Sequence, residues 1–295
     1  MQGMTPVAAS PRPSRIRFEG HTADDGLFGP GSVTWRIASL PQYGIGAYAA
    51  AVVQMLYPPV MHMIDQASSI RRDPGKRGEL TALFGRTLTY GDTATATHAA
   101  DVLRKIHRAM KATDPVTGET YTADQPNLTL WVHNTIQWCT IRALELWGPE
   151  LSPDDKDQLL REQVIAATLV SCVEADVPVT YGDLNAYIEG MTPLLAYGSD
   201  TIWFKQMTLP TAKAWKPKSY VAGLTTMAVM SVLNREQREL YGFSRPDAYW
   251  AGLNRLVGGA LQGEERKIPV VERIRLERGQ LDSDAFGSHR SSHKA

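Results

Sequence analysis

Four polar residues stand in apolar helical surroundings: Arg77 and Thr81, four positions apart, then His107, then His133 within Trp131-Val132-His133. A helix brings residues four apart onto one face, so Arg77 and Thr81 address the same neighbour. An imidazole on such a face can give its lone pair to a metal, and a guanidinium can hold a carboxylate or propionate. Together these are the parts of a haem pocket in a helical bundle. Each also has a plainer reading. His107 follows Leu103 by one turn and adjoins Ile106, the margin of an apolar stripe, where a histidine can simply bond a backbone carbonyl. His133 sits in Leu128–Ile136, apolar on nearly all sides, and a buried imidazole needs a hydrogen-bond partner or a metal. Arg77 and Thr81 equally suit a solvated first turn. His62 is a further histidine in apolar company, His98 has polar neighbours, and Trp131, Trp138 and Trp147 read as core.

Other chemistries lack their residues. No glycine-rich phosphate loop follows a strand, and neither HExxH nor GxSxG occurs. Asp24-Asp25 and Asp154-Asp155 stand at helix starts, where the macrodipole accounts for them. No Glu-x-x-His pair recurs on two helices, which excludes a di-iron carboxylate bundle.

The elements that must position these residues are helical. Ala, Leu and charged residues recur at helical spacing, and alternating β-branched runs are few. Ser32 can cap a helix after the Phe28-Gly29-Pro30-Gly31 turn. Tyr43 to Leu56 reads as a buried helix stopped by Pro58-Pro59, and Val60 to Ser69 as another. Asp73-Pro74 opens a helix that Gly91 closes near Tyr90. Thr93 caps the next, to Lys111, with Ala99, Val102, Leu103, Ile106 and Met110 as its core stripe. After a polar turn, Asp114 to Gly118, Asn127 caps a helix to Trp147. Ser152-Pro153 opens one to Val173, and Thr180 one to Gly190. Tyr220 to Leu233 and Ser244 to Leu261 follow. The expectation is an all-α fold, a single globular helical domain of roughly ten helices over 21–262, after a disordered 1–20 and before a C-terminal extension and disordered tail, 263–295.

Composition narrows the partners. Lys+Arg and Asp+Glu both total 31, so the basic excess of a nucleic-acid binder is missing. The run Arg266, Lys267, Arg273, Arg275 and Arg278 is interleaved with Glu272 and Glu277 and reads as a solvated or frayed helix. The longest apolar stretch, Gly44 to Leu56, is too short to span a bilayer. Met1 to Arg17 has no apolar leader segment. Cys139 and Cys172 lie in no metal spacing and suit small buried apolar roles, as in a reducing, cytoplasmic setting.

Several segments, in order, resemble one family. They are Gly26 to Arg36, Arg71-Arg72-Asp73-Pro74 leading to Arg77-Gly78-Glu79-Leu80-Thr81, Tyr90-Gly91-Asp92, Ile106-His107, Tyr121 to Asp124, Leu130 to His133, and Arg235 to Arg238 with Tyr241-Gly242. The family is that of the mpaB-type oxygenases, which includes the catalytic domain of the rubber oxygenase latex clearing protein. The resemblance implies a latex-clearing-protein-like helical fold that binds haem b, its iron held by one proximal histidine. The family's arginine and threonine beside the haem fall on Arg77 and Thr81, and its proximal histidine, the metal ligand, on His107. His133 matches its second histidine, as a reserve ligand or pocket residue. The implied substrates are dioxygen and a hydrophobic small molecule. Two readings stand beside it: a non-catalytic helical protein that binds an apolar ligand or a protein partner, and a haem peroxidase or sensor. Tyr57-Pro58 and Ala67-Ser68 depart from the pattern where many relatives carry histidine, which implies a different distal pocket.

Overall fold

The computed structural model describes residues 23–209, 217–265, 273–278 and 281. The expectations for 1–20 and for the tail from Asp282, and those for Arg266 and Lys267, fall outside them. The described chain is all-α: α1 (Val33–Ala38), α2 (Pro41–Gln54), α3 (Pro58–Ala67), α4 (Pro74–Tyr90), α5 (Thr93–Ala109), α6 (Pro126–Trp147), α7 (Pro153–Leu169), α8 (Tyr181–Met191), α9 (Ser199–Thr208), α10 (Pro217–Val232), α11 (Arg235–Leu240) and α12 (Asp247–Glu265). A two-stranded hairpin, β1 (Lys111–Thr113) with β2 (Thr120–Thr122), joins α5 to α6, with Ala112 opposite Tyr121. The hairpin is absent from the sequence reading because three-residue strands are too short for an alternation to register. Their loop is the expected polar turn, where Asp114 accepts from the amides of Val116 and Thr117 and Gly118 takes a φ of 74°.

α2 and α6 are the central pair, with α10 and α12 packed on them and α7 and α8 flanking α6. Val52, Val53, Leu56, Trp131, Ile141 and Leu144 are fully buried between these helices. Several hydrogen bonds cross this packing. The Trp131 Nε1 donates to the Gln54 carbonyl at 3.3 Å, Gln54 Nε2 to Thr135 Oγ1 at 3.1 Å, and the Tyr241 hydroxyl to the Val52 carbonyl at 2.7 Å. Close approach depends on Gly46, where a Cβ would stand 2.7 Å from Thr140 Cα. Gly46→Val is therefore expected to lower stability by about 2–3 kcal/mol, read as a fall in melting temperature, because neither helix backbone can yield locally. An unchanged melt would mean that the two helices are free to separate.

Helix starts follow the sequence closely. Ser32 caps α1 by accepting from the Trp35 amide, Asp73 caps α4 through the Lys76 amide, and Ser152 with Asp155 forms a capping box on α7. Three boundaries differ. Asp92, not Thr93, caps α5, since its carboxylate accepts from the Thr95 amide. α6 begins at Pro126, one residue before the expected Asn127 cap, because proline suits a first helical position. α7 stops at Leu169, short of Val173. There Ser171 turns to a φ of 81° and the Cys172 amide bonds back to the Ala167 carbonyl.

The stripe expected on α5 is also different. Thr95, Ala96, Ala99 and Ala100 are buried, whereas Val102, Leu103 and Met110 are half-buried and Ile106 is 44% exposed. Its first half meets the body, and its second half lacks a full protein cover. Residues 273–278, read from sequence as a solvated or frayed helix, are docked instead. Arg278 lies 5.0 Å over the Trp35 ring and pairs with Asp25, Glu277 pairs with Arg86 at 3.4 Å, and Leu281 is buried with Trp35 and Tyr90. No single described helix is long and apolar enough to cross a membrane. α2 and α3 qualify only as a pair, and that pair is bent by 96°.

Candidate functional site

α4 is buried only at its C-terminal end, through Thr87, Thr89 and Tyr90, and its first half is largely exposed. It packs along α5 and meets α1, without comparable packing on α2 or α6. This first half carries Arg77 and Thr81. The Thr81 hydroxyl donates to the Arg77 carbonyl at 2.9 Å and accepts from the Arg77 guanidinium, so one short side chain fixes the longer one. Arg77 makes no ion pair with a described residue, and burial lowers its pKa. A half-buried guanidinium without a carboxylate among the described residues is a place for an anion.

His107, on the last turn of α5, lies within electrostatic reach of Arg77. Burial lowers its pKa first, the Arg77 charge lowers it further, and the Asp124 carboxylate opposes both. The imidazole is half-buried, makes no hydrogen bond to a described residue and is neutral at pH 7, with a lone pair to give. Asp124 is held by the Thr122 hydroxyl at 2.6 Å and faces Arg108 at 3.5 Å. Around this polar set are the half-covered apolar side chains of α5, with Leu80 of α4 47% exposed.

The fold thus sets His107 of α5 within electrostatic reach of Arg77 on α4, which Thr81 holds. It places His133 differently, on α6, 7% exposed, with no hydrogen bond to a described residue and a pKa pushed down to about 4 by burial alone. No charge on Arg77 or Asp124 reaches it. Asp124 and Tyr43 are the residues sequence reasoning passed over. Asp124 stood inside the quoted Tyr121 to Asp124 segment without a role, and only the hairpin brings it to His107. Tyr43 was counted among the apolar residues of α2. It is enclosed by protein, which raises its pKa, and its hydroxyl pairs with Thr89, joining α2 to the end of α4. Near its place on α2 and halfway along α4, a Cβ added at Gly44 or Gly85 would meet no other atom within 4 Å.

Two further histidines lie among the described residues. His62 is half-buried, 3.9 Å from Asp200, and His98 is exposed. Cys139 and Cys172 are buried free thiols, and burial pushes Cys172 up to about 11. Among the described residues no group of three or more His, Cys, Asp or Glu side chains gathers to hold a bare metal ion.

These side chains stand on an all-helical scaffold, with Arg77 and Thr81 on α4 and His107 on α5. The chain belongs to the family described as ER-bound oxygenase mpaB/B'/Rubber oxygenase, catalytic domain, whose model matches residues 35–261. No curated protein and no solved structure matches it. The match runs from α1 to α12, so it begins after most of the Gly26 to Arg36 segment and extends past Tyr241-Gly242. Membership makes the domain an oxygenase catalytic domain, with oxygen and a small molecule as the general class of its substrates.

Proposed function

We propose that the protein is a haem b-dependent oxygenase acting on a hydrophobic small molecule, with His107 as the proximal ligand to the iron. The observation that carries this reading is the neutral, unpartnered His107 imidazole beside an unpaired Arg77 guanidinium. Haem would take both: a nitrogen lone pair for its iron from His107 and a cation for a propionate from Arg77. Bound there, haem supplies the activation of dioxygen, its electronics set by the axial ligand.

The chain's own residues do the rest. Arg77 holds the carboxylate end of the group, and Thr81 keeps the guanidinium aimed. Asp124 keeps the His107 nitrogen more basic than burial and Arg77 alone leave it. The uncovered apolar surface of Leu80, Leu103 and Ile106 would be covered by an apolar group or substrate. His133 is the reserve ligand, favoured by its own buried and unpartnered imidazole. A cytoplasmic setting is part of the reading and rests on the two unpaired thiols.

The test is the absorbance spectrum of the purified protein, with haem quantified as its pyridine complex. A Soret band at near-stoichiometric haem is expected. Arg77→Gln should bind added haem about tenfold more weakly through loss of a charge-assisted bond. No Soret band after reconstitution overturns the reading in favour of a non-catalytic binding protein. Turnover that needs peroxide and not dioxygen overturns it in favour of a peroxidase.

A further inference from the structure

We propose that the corner between α11 and α12 is a binding site for a phosphate group, held by Arg235, Arg238 and Arg245 in a cavity of about 370 Å³. No residue of this corner belongs to α4 or α5, and the inference does not depend on haem. Gly242, at a φ of 75°, turns the chain back after α11 so that α12 starts beside it. Phe243 forms an aromatic part of the wall, and Glu239 and Asp247 are the acidic residues in it.

Arg238 is fixed in place. Its guanidinium donates to the Leu233 carbonyl at 2.5 Å and lies 4.8 Å over the Trp250 ring, which is 5% exposed. Arg142 comes from α6 to the preceding carbonyl, that of Val232, at 2.6 Å, and lies 4.7 Å over Trp138. Two guanidiniums therefore converge on successive carbonyls, and the charge of Arg142 bears on Arg238 as like on like. Arg245 lies over Tyr249 at 5.8 Å. Arg235 is bonded to Glu239 at 2.8 Å, but Arg142, Arg238 and Arg245 make no ion pair with a described residue.

In the wall Arg235, Arg238 and Arg245 stand against Glu239 and Asp247, so positive charge is in excess. Arg238 is half-buried while Arg235 and Arg245 are exposed, and an anion relieves the repulsion among the three. Arginine forks match the oxygens of a phosphate, and stacking on aromatic rings keeps them aimed before the ligand arrives. The cavity is roomier than a lone carboxylate needs, and Phe243 offers a surface to the organic part of a phosphate ester. That ester is either a soluble small molecule or a phospholipid headgroup.

The test is titration calorimetry of the full chain with inorganic phosphate and with glycerol phosphate, at fixed ionic strength set by chloride. A vesicle arm uses phosphatidylcholine with and without phosphatidic acid. Saturable phosphate binding is expected, at least about tenfold weaker in Arg245→Gln and unchanged in Arg255→Gln, an exposed α12 position outside the cavity. Arg245→Gln is preferred because Arg238 also joins α11 to Trp250, and circular dichroism checks that the variant is folded. Binding of the soluble ester without vesicle retention identifies a free phosphate ligand. Retention on phosphatidic acid vesicles that Arg245→Gln abolishes identifies a headgroup. Absence of saturable binding in both arms, or equal binding by Arg245→Gln and the parent chain, overturns the proposal.

Discussion

His107→Ala is expected to give a folded protein that no longer retains haem. The imidazole makes no hydrogen bond to a described residue and keeps solvent-accessible surface, so its removal orphans no buried group and opens no sealed cavity. The melting temperature of the haem-free variant should stay within a few degrees of the parent, a cost under about 1 kcal/mol. On the proposed reading, haem content should fall below about a tenth of stoichiometric, because the side chain proposed to hold the iron is gone. Added imidazole should restore the Soret band by entering the space the side chain leaves. A variant with full haem content would remove His107 from the iron. Loss of haem in His133→Ala, with content intact in His107→Ala, would then assign the metal to α6.

Between pH 7 and pH 4.5 the haem-free protein should lose stability that a His133→Leu variant keeps. Burial holds the His133 imidazole neutral down to about pH 4, while in the unfolded chain it titrates near its ordinary 6.5. Across that window the unfolded chain takes up a proton that the native protein refuses. Acid therefore favours unfolding. The contribution is complete above the unfolded value and is lost as pH falls toward the folded one, at most roughly 3 kcal/mol. Leucine has a similar volume and no charge to acquire, so the difference between the two pH profiles isolates this residue. Carboxylates elsewhere destabilise both proteins alike. Thermal unfolding at several pH values measures it. Parallel profiles would mean that His133 opens to water.

Much of this protein is local, and the local part was readable. Asp73-Pro74, Ser152-Pro153 and Gly148 mark helix ends through interactions confined to a few residues, and α4 and α7 start at the expected places while α6 starts two residues early. Arg77 and Thr81 share a face because 3.6 residues make a turn, and their hydrogen bonds need nothing beyond α4. The segment words reached the family, which the match over 35–261 bears out.

What depended on distant chain was hidden. The apolar period of α5 announces a face to be covered and is silent about what covers it, so a stripe read as core has a second half that stands open. In sequence His107 stands among Arg104, Lys105 and Arg108 and His133 among apolar residues, yet only the fold sets one beside Arg77 and Asp124 and buries the other away from any charge. Asp124 reaches His107 only because a three-residue hairpin folds it back, and Arg142 reaches Arg238 only across the α6 packing. Periodicity and caps, which act within a turn or two, were set by the residues themselves. Which imidazole is open beside a charge, and which guanidinium makes no ion pair among the described residues, was decided by tertiary structure, because burial and Coulomb interactions depend on distances in space and not along the chain.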